Sequence, residues 1–244
     1  MKSKVENQGA RDTVYSFLHK KIMDMQLMPG AVINLKDLAE YLEVSRSPIR
    51  DALMQLEKEY LVETTPKKGT YVSKIDVQRV KDERFMRACI EEKIAEIFMN
   101  VYTQKDYQEL ESNLHLQNEA FKNRDTRTFL QLDDDFHSVM YKATDYTYCL
   151  QNIKNFSGHY HRIRLLSLSD PDICSETIKQ HVELMALINS HQVDELQKQI
   201  TAHIYEKGTE VKKLQKRYPT LFLTASNEDK ATQNIWENDF LSEL

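Results

Sequence analysis

Glycine and proline are scarce, five of each in 244 residues, which leaves little material for a turn-dense β-sandwich, a collagen-like repeat or a glycine-lined dinucleotide site. Helices should dominate. No apolar run approaches the roughly 18 residues of a bilayer-crossing helix, and the amino terminus, MKSKVENQGARD, lacks the apolar middle of a signal peptide. A cytoplasmic location without membrane contact is expected. The three cysteines, Cys89, Cys149 and Cys174, are far apart, odd in number and outside any CxxC spacing, which argues against a disulfide framework or a thiolate metal site. They read as reduced, mostly buried thiols.

Charge is plentiful, 29% of residues beside 41% hydrophobic ones, as suits one large or two modest domains. The net charge of -5 argues, taken whole, against an anionic partner. Its distribution reads differently. Residues 1–75 hold 12 Lys+Arg against 10 Asp+Glu, and the rest hold 21 against 28, so the front is net +2 and the body -7. That split is compatible with a DNA-touching front on an acidic body, but it is too small to prove one, and motifs must decide.

Along the front, Val14, Phe17, Leu18, Ile22 and Met25 keep a helical period over residues 13–25, which Pro29-Gly30 closes. Asn34 is a suitable cap for a second helix from Leu35, with Leu38, Ala39 and Leu42 inward. After a tight Glu43-Val44 turn, Ser45-Arg46-Ser47-Pro48 opens a third helix that carries Ile49, Ala52, Leu53 and Leu56 inward. Leu61–Thr65 and Thr70–Ser73 are β-prone runs about the basic turn Pro66-Lys67-Lys68-Gly69, a hairpin. From Asp76 to about Arg217 the pattern is helical, with breaks expected near residues 102–106, 123–126, 144–148, 169–175 and 190–194, giving about six helices in an antiparallel bundle. The expected organisation is mainly α: a winged helix-turn-helix over 8–75, an all-helical bundle over 76–215 and a tail of unassigned role over 216–244.

Two short helices, a tight turn and a β-wing have the layout of a DNA reader. With Ile49, Leu53 and Leu56 facing the core, Arg46, Ser47 and Arg50 point outward at a helix amino terminus, where donors meet phosphates and arginine reads guanine bidentately. Lys36, Lys67 and Lys68 would then meet backbone phosphate. The spacing alone also fits an ordinary solvated surface. The full string 27–72, LMPGAVINLKDLAEYLEVSRSPIRDALMQLEKEYLVETTPKKGTYV, resembles the winged helix-turn-helix of the GntR family of bacterial transcription regulators. Pro29-Gly30, Leu38-Ala39, Val44-Ser45-Arg46, Pro48-Ile49-Arg50, Ala52-Leu53, Leu61-Val62, Pro66 and Gly69 carry the likeness. It implies base or phosphate contacts for Arg46 and Arg50, phosphate contacts for Ser45, Ser47 and Lys36, and a minor-groove wing at Lys68-Gly69. Glu43 and Tyr60 stand where the family has turn glycines, which puts the turn geometry and wing angle in question.

In the bundle, Asp133 and His137 are four apart in a helical stretch, on one face one turn apart. Neighbouring Asp134 and Asp135 make that pair alone a weak sign of chelation. His181 and His203 are equidistant from residue 192, inside an expected helix–helix turn, so their imidazoles can meet across a hairpin. Three imidazoles and a carboxylate suit a borderline divalent ion, zinc first, with nickel or manganese also admissible. His159 and His161, two apart, diverge on a helix, and His19, His115 and His191 have no partner at useful spacing.

Residues 78–212 resemble the FadR-type (FCD) ligand-binding domain on Arg87-x-x-Ile90-Glu91, Asp133-x-x-Phe136-His137, Arg162-x-Arg164 before Leu165-x-Ser167, His181-x-x-x-Met185 and His203. The likeness implies that Asp133, His137, His181 and His203 hold a metal, and that the metal with a nearby arginine binds the carboxylate of a small organic acid. Arg87 and Arg164 are the effector-contact candidates, since a guanidinium pairs bidentately with carboxylate; interhelical ion pairs are the plainer reading of both. Gln180 stands where the family has a glutamate, a change outside the metal ligands. The expected protein is a ligand-responsive regulator, a repressor and homodimer on a palindromic operator in double-stranded DNA, and not an enzyme. Two rivals remain open: a metallohydrolase fused to a DNA-binding module, with Asp134 or Glu183 as base, and a DNA-binding protein whose metal only staples the bundle.

Overall fold

The computed structural model describes residues 2–205 and 208–224. Among them are eleven α-helices and three short strands, divided between two compact units: residues up to Val77 together with those from Arg217 onward, and Gln78–Lys216. No helix among the described residues is long and apolar enough to cross a membrane.

The first unit runs α1 (Lys2–Met23), β1 (Val32–Ile33), α2 (Leu35–Tyr41), α3 (Arg46–Lys58), β2 (Val62–Thr65) and β3 (Gly69–Val72). Val14, Leu18 and Ile22 of α1 share one core with Leu38, Ile49, Leu53, Leu56 and Val72. Each buried side chain of this size contributes roughly 1.5–3 kcal/mol. Asn34 caps α2, its Oδ1 accepting from the Lys36 N–H at 2.9 Å. Ser45 is the N-cap residue of α3 but makes no side-chain cap bond. The sheet is antiparallel in the order β1-β3-β2, with Val32 opposite Tyr71 and Val62 opposite Val72. The expected hairpin therefore gains a third strand, which at two residues is too short to show any alternation. At the wing tip the Lys68 N–H donates to the Thr65 carbonyl at 3.1 Å, and positive φ falls on Lys67 (65°) as well as Gly69 (121°).

The stretch expected as a tail begins with an ordered return to this unit. Phe222 is fully buried, the Ile75 N–H donates to the Leu221 carbonyl at 2.9 Å, and the Leu223 N–H donates to the Ile75 carbonyl at 2.9 Å. Ile235, Trp236, Phe240 and Leu241 lie outside the described residues.

The second unit is a helical bundle: α4 (Val77–Val101), α5 (Gln104–Lys122), α6 (Thr126–Ala143), α7 (Thr147–Phe156), α8 (Gly158–Ser167), α9 (Pro171–Asn189), α10 (Val193–Tyr205) and α11 (Gly208–Arg217). Eight helices stand where about six were expected, partly because the helix expected over residues 148–168 divides at Ser157, which ends α7 and opens α8. A tertiary contact supports the break: Glu83 Oε2 accepts from the Tyr160 N–H at 2.7 Å, satisfying a donor that a new helix start leaves open. Burial pushes the Glu83 carboxyl up to about 7 despite that hydrogen bond. Cys174 is buried, Cys149 half-buried and Cys89 exposed, so the expectation of mostly buried thiols fails at Cys89, on the outer face of α4.

Helix ends show how a chain poor in glycine stops its helices. Glu43, Tyr60, Arg124, Asp145 and His191 all adopt positive φ, between 52° and 61°. Each follows a helix, and the next N–H reaches five residues back: Val44 to Ala39 at 3.1 Å, Leu61 to Leu56 at 3.0 Å, Gln192 to Leu187 at 3.1 Å. This is the Schellman closure, usually made with glycine. Glu43 and Tyr60 thus keep the family's turns at a conformational cost of about 1–2 kcal/mol each. Glu43→Gly should stabilise the first unit by about 0.5–1 kcal/mol after the entropy glycine adds to the unfolded chain, read as a raised urea midpoint; a lowered midpoint would show that Glu43 makes a compensating contact.

Candidate functional site

Three helices of the second unit supply one cluster of four side chains. Asp133 and His137 come from α6, His181 from α9 and His203 from α10. All four are at most 3% exposed, and one ligand atom from each lies within 4.8 Å of the others. The α9–α10 turn at His191 sets the register that brings the His181 and His203 rings to 4.9 Å between centroids. Phe136, one residue before His137, stacks on the His181 ring at 4.2 Å.

The donor chemistry fits a divalent cation. His181 Nδ1 faces Gln117 Oε1 at 2.8 Å, and that amide is oriented by its own donation to Asn113 Oδ1 at 2.8 Å. His203 Nδ1 faces Gln180 Oε1 at 2.7 Å, and His137 Nδ1 lies 2.7 Å from Glu91 Oε2. Every Nδ1 lies within 2.8 Å of an acceptor oxygen, and protons placed there turn the Nε2 lone pairs inward. His137 Nε2 and His203 Nε2 then face each other at 3.2 Å, an arrangement that a cation between them relieves. A tetrahedral ion with bonds of about 2.0–2.2 Å places its donors about 3.4 Å apart. The 3.2 Å here and the 3.6 Å between His181 Nε2 and Asp133 Oδ1 bracket that value. The cluster could hold a metal ion.

Both arginines expected to meet an effector stand beside this cluster, and both are engaged. Arg87 Nε donates to Glu91 Oε1 at 2.6 Å, and its Nη1 lies 3.8 Å from Asp134 Oδ1. Arg164 donates to Asp134 Oδ1 at 2.6 Å and to Asp133 Oδ2. A chain of polar contacts runs from the His137 ring to Glu91, and from there a chain of charge runs through Arg87, Asp134 and Arg164 to Asp133. Burial opposes the ionised state of Glu91, yet Arg87 and His137 outweigh it and hold the carboxyl at about 2. Burial likewise works against Asp134, and Arg164 and Arg87 bring it below the usual carboxylate range. The Tyr160 ring lies against both guanidinium groups, at 6.0 Å from Arg87 and 5.7 Å from Arg164. Arg162 is fully buried and donates from Nε to the Gly158 carbonyl at 3.1 Å; burial pulls it down to about 10, with Glu83 working against the shift.

Several of these groups were not read as part of a site. Gln117 had no local signal, being an ordinary polar position of α5. Gln180 orients His203 rather than its neighbour His181. His161 lies 3.9 Å from Asp134 Oδ2 at the edge of the cluster, while His159 is buried beside Arg162. His115 and His191 are exposed, and His19 packs on Tyr15 in the first unit. Neither carboxylate considered as a hydrolytic base is poised for that role: Asp134 is held by Arg164, and Glu183 is an exposed partner of Gln199 at 2.7 Å.

In the first unit, Ser45, Arg46, Ser47 and Arg50 are exposed at the start of α3, above a buried stripe of Ile49, Ala52, Leu53 and Leu56. Lys36 is exposed on α2 with Nζ 3.8 Å from Glu40. Lys67, Lys68 and Gly69 are exposed at the wing tip, where the Tyr71 hydroxyl donates to the Lys68 carbonyl.

Comparison with known proteins agrees with both halves. Residues 10–72 match the bacterial regulatory proteins of the gntR family, and residues 84–206 match the FCD domain. The chain is 26% identical over 207 residues to the HTH-type transcriptional repressor RspR of Escherichia coli (strain K12), covering 85% of this chain and 91% of that one. It shares its fold with E. coli McbR/YncC at a TM-score of 0.71 and 18% identity, over 86% of this chain and 98% of that one. It also shares it with a GntR transcriptional regulator from Rhodococcus sp. RHA1, at 0.71 and 16% over 83% and 97%. RspR is described as a transcriptional repressor and the Rhodococcus protein as a transcriptional regulator. The chain belongs to the gntR family of bacterial regulatory proteins, with an FCD domain following its DNA-binding domain, and is a DNA-binding transcription regulator.

Proposed function

We propose that the protein is a repressor that binds a palindromic operator as a homodimer and releases it when a small carboxylic or sugar acid binds at a divalent metal, zinc first, in the FCD domain. The observation that carries this reading is the convergence of three Nδ1-anchored imidazoles and the Asp133 carboxylate beside two buried arginines. A bound divalent ion would supply a Lewis-acidic position for a carboxylate oxygen. Asp133, His137, His181 and His203 would hold it. Gln117, Gln180 and Glu91 fix the imidazole tautomers, and Arg87 and Arg164 supply the guanidinium groups that orient an acid. At the other end, Arg46 and Arg50 would read base edges, Ser45, Ser47, Lys36 and Lys67 would meet phosphates, and Lys68 and Gly69 would enter the minor groove. A coupling of about 1–3 kcal/mol between the acid and operator sites changes occupancy 5- to 150-fold. RspR is described as a repressor, which supports the sign adopted here.

A structural staple is the second reading, favoured by the same four donors, because four protein ligands saturate a tetrahedral ion. Metal analysis of the purified protein, followed by calorimetry with a panel of organic and sugar acids with and without chelator, separates the two. Sensing predicts one ion per chain and an acid that binds only the metal-loaded form and lowers operator affinity. A bound metal with no responsive acid would favour the staple.

A further inference from the structure

Asp134 holds a position that the metal ligands do not explain. The buried cluster contains three carboxylates, Glu91, Asp133 and Asp134, and two guanidinium groups, Arg87 and Arg164. Arg87 has Glu91 to itself and Arg164 has Asp133; Asp134 is the carboxylate they share, at 3.8 Å and 2.6 Å. It is also the open member of the set: its side chain is 18% exposed, against 6% or less for the other four. His161, 21% exposed, flanks it from α8. An acid approaching the arginines from solvent meets Asp134 first.

Charge then decides what can enter. With neutral imidazoles, three carboxylates and two guanidinium groups leave the cluster at -1, and a divalent cation brings it to +1. Buried charge is tolerated when it is balanced, so the loaded site matches one further negative charge. Removing the Asp134 charge would leave +2 and match two. We propose that Asp134 is an internal counter-ion that sets the charge class of the ligand, so that the metal-loaded site takes a monocarboxylate and rejects a dianion. Tethered beside both guanidinium groups, Asp134 acts at high effective concentration and weakens every anion that competes for them. The inference rests on the acid-sensing reading above.

The test uses the full-length, zinc-loaded protein and its Asp134→Asn variant, which preserves shape while removing the charge. Acetate and propionate serve as monoanions and succinate and sulfate as dianions, titrated at constant ionic strength and read by calorimetry and thermal shift. The dianion-to-monoanion affinity ratio should rise at least tenfold in Asp134→Asn, with zinc content reporting that the site is intact. Asp134→Ser provides the same charge change should the amide fold poorly. Anions that bind both forms with an unchanged ratio would overturn the role of Asp134 while leaving acid sensing in place. Zinc binding with no response to any of the four anions in either form would overturn the acid-sensing reading itself, and this inference with it.

Discussion

Replacing His137 and His181 together by alanine should abolish stoichiometric metal binding, with content falling well below one ion per chain. These residues come from α6 and α9, so the pair removes donors from two sides, and Asp133 and His203 cannot close a coordination shell alone. Loss of an outer partner is expected to be milder. Gln117→Ala leaves all four donors but frees the His181 ring to change tautomer, an effect of about 10–100-fold in metal affinity. The double variant should exceed that range, and the stabilisation zinc gives the parent in a thermal melt should vanish. The fold itself should survive. Glu91 keeps Arg87 at 2.6 Å, and Asp133 keeps Arg164, so no carboxylate is left buried without a counter-charge. Helical circular dichroism should therefore be unchanged. Full retention of metal by the double variant would place the ion elsewhere.

The contrast between ligands and their supports also explains what the sequence could and could not disclose. Asp133 and His137 share a helix face four residues apart, and His181 and His203 mirror each other about a turn, so spacing alone puts each pair at one height. Gln117 and Glu91 reach the site from α5 and α4, and only tertiary packing brings their oxygens to imidazole nitrogens. Secondary structure divides in the same way. In the first unit α2 and α3 were legible because Asn34 and Ser45-Arg46-Ser47-Pro48 mark their starts, whereas α1 begins at Lys2, well before the expected residue 13, because the polar stretch ahead of Thr13 carries no apolar period. The division of α7 from α8 was missed although Ser157-Gly158 is a turn-prone pair; the helical period runs on across it, and the contact that supports the break, from Glu83, lies 77 residues from Tyr160. Strand β1 escaped for a different reason: two residues fix no period, and pairing with β3 defines it. Arg87 and Arg164 show a limit of charge arithmetic. Their guanidinium groups suit a ligand carboxylate, yet the fold supplies carboxylates of its own, which residue type cannot reveal.

Arg50→Ala should remove preference for the operator over random DNA. The buried stripe of Ile49, Ala52, Leu53 and Leu56 fixes how α3 turns, and Arg46 and Arg50, one turn apart, are left exposed at its amino-terminal end. A bidentate arginine–guanine contact discriminates by about 1–3 kcal/mol, enough to lower operator affinity roughly 5- to 150-fold in each half-site while barely changing non-specific binding. Lys68→Ala should behave differently. Its site at the wing tip meets backbone or groove charge rather than a donor pattern, so affinity should fall alike on all sequences, and the slope of log affinity against log salt should become shallower by about one per half-site. Lys36 belongs with Lys68 in this respect, because its exposed pair with Glu40 at 3.8 Å is worth little and yields readily to a phosphate. Binding isotherms on operator and scrambled duplexes at several salt concentrations distinguish the two behaviours. An Arg50→Ala variant with intact operator preference, or a Lys68→Ala variant with an unchanged salt slope, would mean that α3 and the wing do not dock on DNA in the orientation their exposed faces suggest.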